Sequence, residues 1–116
     1  MAFCGKFTPV VPGEQRNFAL NFAPDLAAQG PFSADSIASI TSVTLSDPSG
    51  TDPNPSALLI GSPGVLASTW VVQTVGGTGA TTFMSGVPFY LLTMTVLTAA
   101  GQTFILSGHI PVATAT

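Results

Sequence analysis

Charge is what this chain has least of. Two of its 116 residues are basic and five acidic, 6% in all, where a soluble domain ordinarily carries about 25%. The seven are Lys6, Glu14, Arg16, Asp25, Asp35, Asp47 and Asp52, so residues 53–116 contain no ionic side chain. Two cations cannot form the clustered basic surface that a phosphate backbone requires, and with a net charge of −3 no nucleic-acid partner is expected. Cysteine is nearly missing too. Cys4 stands alone, which excludes an internal disulfide, and a lone thiol at that position is expected to have no role. No apolar run approaches the roughly 20 residues of a spanning helix, so no membrane is expected as a partner. The first residues show neither the charged start nor the apolar stretch of a secretory signal, and none is expected.

These scarcities narrow the chemistry. A hydrolytic triad needs a base, and the single histidine, His109, falls near the end of the last strand-like run with no acidic residue in its half of the chain. A polar histidine on a strand face is the simpler account of it. One His, one Cys and five scattered carboxylates show no metal-ligand spacing. Asp47 and Asp52 flank Ser49-Gly50-Thr51, where a weak calcium site is conceivable, but an Asx-turn loop needs nothing extra. The glycine-rich GGTGA at 76–80 runs into Thr-Thr-Phe, a strand pattern, whereas a phosphate loop opens a helix and usually carries a lysine. The carboxylates fall in loop-like segments or in the N-terminal segment, where solvation is their ordinary role. The chain is therefore not expected to be an enzyme, and no catalytic, cofactor-binding or metal-binding residue is assigned.

What the chain does have is alternation. NFALNFA (17–23) sets Phe18, Leu20 and Phe22 on one face, and SIASITSVTLS (36–46) sets Ile37, Val43 and Leu45 in one phase and Ile40 in the other. ALLIG (57–61) reads as a short strand closed by Ser62-Pro63-Gly64, and VLASTWVVQTV (65–75) as a longer one, with Trp70 and Val72 opposite Val71 and Val75. A Trp alternating with Val in this way reads as core, although a binding platform is the other use of such a ring. TTFMSG (81–86) reads as a brief strand. Tyr90, Leu92, Met94 and Val96 form an unbroken apolar face, and Phe104, Leu106 and Ile110 continue it on a return strand, with Thr103, Ser107 and His109 on the other side. Gly101 lies in the connection, where a positive φ is required.

Between these runs, DPSGTDPNPS (47–56) is a loop with three prolines and a glycine, and PDLAAQGPFSADS allows one helical turn started by Pro24-Asp25 and stopped at Gly30-Pro31. The prolines of FTPVVPGEQR disfavour helix and make residues 1–16 an extended arm. The pattern predicts an all-β protein: a small Ig-like antiparallel β-sandwich of about six to eight strands over residues 17–116, preceded by that arm.

Residues 81–112, TTFMSGVPFYLLTMTVLTAAGQTFILSGHIPV, carry a more specific likeness. Thr81-Thr82, a short strand, Ser85-Gly86, then Tyr90, Leu92, Thr93 and Val96, then Gly101-Gln102-Thr103 and a closing run to Ile110 and Val112 occur in that order. In this the chain resembles the C-terminal half of the fiber-tail adaptor proteins of tailed bacteriophages. The first half is compatible, since FTPVVPGEQRNFALNFAPDLA (7–27) is similar to the family's arm and aromatic strand. It departs in having Gln102 where the family often has arginine, in lacking a tryptophan near Val43 or Leu45, and in a longer loop at 47–64. The resemblance implies a structural virion protein in the tail, assembled in the bacterial host cytoplasm. It implies several copies in a ring-like assembly, joining tail and tail-fibre proteins without a cofactor, and an arm that reaches a neighbouring subunit. A capsid decoration protein is a second reading. A cell-surface adhesion or carbohydrate-binding sandwich is a third, and it would show exposed aromatics beside Asp or Asn. An enzyme survives only if a neighbouring chain completes a site around His109.

Overall fold

The computed structural model describes residues 2–27, 31, 35–77, 82–84 and 86–113. Seven strands make two sheets: β1 (Ala2–Lys6), β2 (Gln15–Asn21), β3 (Ile37–Ser46), β4 (Leu59–Leu66), β5 (Trp70–Gly76), β6 (Phe89–Thr98) and β7 (Thr103–Pro111). A four-stranded sheet runs β1-β7-β6-β3 and a three-stranded sheet β2-β5-β4. Their apolar faces meet in one core, with Phe18, Leu20, Val71 and Val75 on one side and Leu45, Tyr90, Leu92, Met94, Val96, Leu106 and Ile110 on the other. The protein is a small, nearly all-β sandwich. Among the described residues, no helix is long and apolar enough to cross a membrane.

The β6–β7 hairpin forms as its alternation requires. Pairing runs unbroken from Phe89↔Pro111 to Leu97↔Thr103, so Tyr90, Leu92, Met94 and Val96 all point into the core. Gly101 turns the chain at φ +85. The single helical turn expected after β2 is α1 (Ala23–Ala27). The Asn21 side-chain carbonyl accepts the Ala23 N–H at 3.0 Å, and Leu26 closes the turn onto the core. A 3-10 turn at Pro55–Leu58, inside the expected loop, buries Leu58.

β3 corrects the two-phase reading of residues 37–45. Its pairs with β6 are Leu45↔Leu92, Val43↔Met94, Ile40↔Val96 and Ile37↔Thr98, with irregularities between Ile40 and Ser42 and between Ile37 and Ser39. Residues directly opposite share a face. Each irregularity inserts one extra residue and resets the phase, so Ile40 joins Ile37, Val43 and Leu45 against the core.

Residues 65–75 are likewise not one strand. The chain reverses at Ala67-Ser68, both at positive φ (53° and 64°), with the Thr69 N–H donating to the Leu66 carbonyl at 3.4 Å. That is the pattern of a type I′ hairpin turn, which ordinarily uses Asn-Gly. Two outside bonds hold it: the Ile37 N–H donates to the Ser68 carbonyl (3.0 Å) and the Phe22 N–H to the Thr69 carbonyl (2.8 Å). The Ser62-Pro63-Gly64 expected to end a strand lies instead within β4, where Gly61, Ser62 and Pro63 bulge between the pairs Ile60↔Thr74 and Gly64↔Val72. The buried Gln73 sits opposite the gap and donates to the Ile60 and Thr74 carbonyls at 3.0 and 2.9 Å. The brief strand expected at 81–86 is not formed by its described residues. Phe83 is buried, and the Val87 N–H turns back to the Met84 carbonyl.

Residues 2–10 are extended, as expected of an arm, but they lie along their own sheet, and a turn at Pro12-Gly13 then leads into β2. β1 pairs in parallel with β7, from Ala2↔Leu106 to Lys6↔His109. The contact continues through Phe7 N–H to the His109 carbonyl (2.8 Å), Val10 N–H to the Pro111 carbonyl (2.9 Å) and Ala113 N–H to the Val10 carbonyl (2.7 Å). Two side chains fix it. Val10 is fully buried, and the Phe7 ring meets Phe18 edge-on at 4.9 Å while lying over Gly108. A Cβ at Gly108 would come within 2.5 Å of the Phe7 ring, so glycine makes the slot that the ring fills.

The non-glycine turn gives a direct test. Residues held at positive φ cost of order 1 kcal/mol each, and Ala67 and Ser68 are both exposed. The double substitution Ala67→Asn, Ser68→Gly is expected to stabilise the protein by about 1 kcal/mol, read as a higher urea midpoint at unchanged denaturant slope.

Candidate functional site

The polar groups singled out in the sequence fall into separate places, and the described carboxylates are each held locally. His109 lies half-buried on the outer side of β7, opposite Leu91, with its ring stacked on Phe89 at a centroid distance of 4.3 Å and 22° between planes. Glu14 binds Arg16 at 2.7 Å and accepts the Val11 N–H through Oε1 at 2.7 Å. The Arg16 hydrogen bond, followed by that of Val11, holds the Glu14 carboxyl below its ordinary range. The side chains of Cys4, Lys6 and Asp25 lie outside the described residues.

Asp47 and Asp52 build the loop between them. Asp47 Oδ1 accepts the Ser49 N–H and hydroxyl (2.9 and 2.6 Å), and Oδ2 accepts the Asp52 N–H (2.7 Å). Desolvation opposes the Asp47 charge, and these donors outweigh it, so its carboxyl titrates below the usual value. Asp52 Oδ1 accepts the Asn54 N–H at 2.9 Å, and Oδ2 accepts the Tyr90 hydroxyl at 2.6 Å. All four carboxylate oxygens therefore hold the loop, the two Oδ1 atoms as Asx-turn acceptors, Asp47 Oδ2 across the loop and Asp52 Oδ2 on Tyr90. Among the described residues, no group of three or more His, Cys, Asp or Glu side chains is placed to share a metal ion.

Tyr90 is the far anchor of this loop. Its ring is fully buried, its hydroxyl donates to Asp52, and the same oxygen accepts the Met84 N–H at 3.0 Å. Burial first, then the Asp52 hydrogen bond, raises this hydroxyl above the ordinary phenol range. Asp35 does related work at the opposite end of the hairpin. Its Oδ1 accepts the Ser36 and Ala100 N–H groups, both at 2.9 Å, and its Oδ2 accepts the Gln102 amide at 3.0 Å. Gln102 thus joins the β6–β7 turn to the start of β3.

The feature the sequence reading misplaced is Trp70. Expected in the core, it is exposed on the outer side of the three-stranded sheet. Both phases of β5 are apolar, and the core phase is the one with Val71, Gln73 and Val75. Gln73, a polar side chain turned inward to fill the β4 bulge, makes the core phase look like the solvent one. The pairings place Trp70 beside Asn21 and Leu66, Val72 between Ala19 and Gly64, and Thr74 beside Asn17. Leu66 is 60% and Trp70 37% exposed. The Thr74 hydroxyl donates to Asn17 Oδ1 at 2.6 Å, and Asn21 Oδ1 caps α1. Both carboxamide oxygens are thereby occupied, leaving the amide N–H groups as the outward donors. No strand position on this face carries a charge.

The fold and these groups describe a small β-sandwich whose polar side chains mostly fasten loops, with one uncharged aromatic face. Comparison of the chain with family models, with curated proteins and with solved structures finds no match.

Two predictions follow from the anchors. Tyr90→Phe removes one hydroxyl and strands both of its partners, so it is expected to cost about 1–3 kcal/mol, read as a lower urea midpoint. For Asp35, partial desolvation raises the pKa, but hydrogen bonds from Thr98, Gln102, Ala100 and Ser36 outweigh it and lower the carboxyl to about 2. An unfolded Asp titrates near about 3.9, so on acidification the unfolded chain takes the proton first. The Asp35 contribution is then whole above about pH 4 and disappears as the pH falls through about 2. Urea midpoints over that window should fall more steeply for the native chain than for Asp35→Asn.

Proposed function

We propose that this protein is a structural subunit of a tailed-phage virion, an adaptor that joins tail and tail fibres by protein–protein contacts and carries out no chemistry of its own. The observation that carries the reading is the sparse charge, two basic and five acidic residues in 116. A free monomer so poor in charge has little colloidal protection, whereas a subunit packed against neighbours on several sides does not need it. The likeness of residues 81–112 to fiber-tail adaptor proteins supplies the particular assembly, and the Ig-like assignment of the sandwich belongs to the same reading. Edge strands offer contact surface that does not depend on charge. The bulges of β3 and β4 would restrict open-ended pairing along two of those edges.

In this reading the partners are other copies of the chain in a ring, the tail and the fibre proteins. Immunogold electron microscopy of particles from the source culture, with antibody against this chain, tests it. Gold confined to the tail at the level of fibre attachment is the expected result. Gold spread over the shell would make the protein a capsid decoration subunit, and gold on cells with none on particles would end the virion reading.

A further inference from the structure

The outer side of the three-stranded sheet places a partly exposed indole on the same face as two side-chain amides. Trp70 stands at one end, directly opposite Asn21, and the Asn17–Thr74 pair stands four pairs further along the same strands, the second after it on this face. Between them lie Ala19, Val72 and Gly64, while Leu66 stands opposite Trp70 and Ile60 opposite Thr74 on the β4 side. The four residue steps from Trp70 to Thr74 cover about 13 Å, room for more than one sugar ring. A sugar ring has an apolar C–H face and a rim of neutral hydroxyls. An aromatic plane meets the first, and carboxamide and hydroxyl groups meet the second. An anionic or cationic ligand would find no counter-charge here.

We propose that this face binds a neutral oligosaccharide, with the Trp70 ring stacked on one hexopyranose and the amides of Asn21 and Asn17 donating to sugar hydroxyls. The Asn21 and Asn17 carbonyl oxygens are already bonded to Ala23 N–H and Thr74 hydroxyl, which fixes how each amide is turned before any ligand arrives. That preorganisation reduces the ordering cost of binding. The two outside bonds on the Ala67-Ser68 turn hold the hairpin that carries Trp70 in the same way. The proposal goes beyond the adaptor reading and does not depend on it, since a binding experiment on purified protein leaves the position in a particle untouched.

Trp70 is the only tryptophan in the chain, so intrinsic fluorescence reads this face directly. The full chain is titrated with cellohexaose, chitohexaose and maltohexaose as neutral probes and with a heparin hexasaccharide as the anionic one. One ring and two amides are expected to give a saturable fluorescence change with a neutral probe at Kd on the order of 1 mM or below, and none with heparin. Asn17→Ala, which leaves the α1 cap in place, is expected to weaken binding about 3- to 10-fold. Trp70→Ala is expected to abolish binding measured by calorimetry, with the circular dichroism spectrum unchanged. No saturable response to any neutral probe up to about 10 mM would overturn the proposal, as would calorimetric binding that survives Trp70→Ala. A blue shift that follows protein concentration without sugar would also overturn it, by giving the face to a second copy of the chain.

Discussion

The hydroxyl of Tyr90 sits where three segments of chain meet, and two of them belong to neither sheet. The loop of residues 47–56 arrives through Asp52, the segment around Met84 through its N–H, and the strand that carries the tyrosine brings the hydroxyl out of the core. Apolar burial positions the ring and hydrogen bonding uses its tip, so a single side chain converts sandwich packing into loop order. In a chain with almost no ions, this kind of fastening is the main one open to it. Asp47, Asp52 and Asp35 are each spent on backbone and neutral donors, and among the described residues no buried side-chain nitrogen or oxygen is left without a partner. Such bonds are short-ranged and little affected by salt, unlike the long-range attraction of a charged surface.

Where strand alternation is regular, the sequence spoke for the structure. The β6–β7 hairpin pairs without interruption, and the core residues expected on it are in the core except Phe104, which is partly buried and packs against it. Phe18, Leu20 and Phe22 are equally plain. The errors have physical causes of three kinds. Bulges in β3 change phase twice, and a period of two cannot reveal an inserted residue that pairs with nothing. Glycine and proline mislead when they mark a bulge, as at 61–63, while the true turn is made by Ala67 and Ser68 under the hold of Ile37 and Phe22. Gln73 reverses the apparent polarity of β5, and with it the expected place of Trp70.

The candidate face was legible only in its parts. Asn17, Asn21 and Trp70 are visible in the sequence, but nothing local says that residues some fifty positions apart stand side by side. That proximity comes from the register of β2 on β5. The loop carboxylates were the opposite case, because Asx turns are made by neighbours in sequence. The first ten residues were the hardest of all. Their prolines correctly announced extended chain, but the strand they lie against is a hundred residues away.

That last pairing bears on the order in which the protein can be built. Of the seven described strands, β1 is made before all the others and β7 after them, and the two run in the same direction. Through most of synthesis the slot over Gly108 does not exist, and Phe7 and Val10 have nowhere to go. Contacts between the ends of a chain are also the slowest kind to form, because the intervening loop must close first. The segment that becomes β1 therefore has no partner strand until β7 has been made. A nascent or freshly released chain has a different surface from the finished one, with the edge of β7 still open.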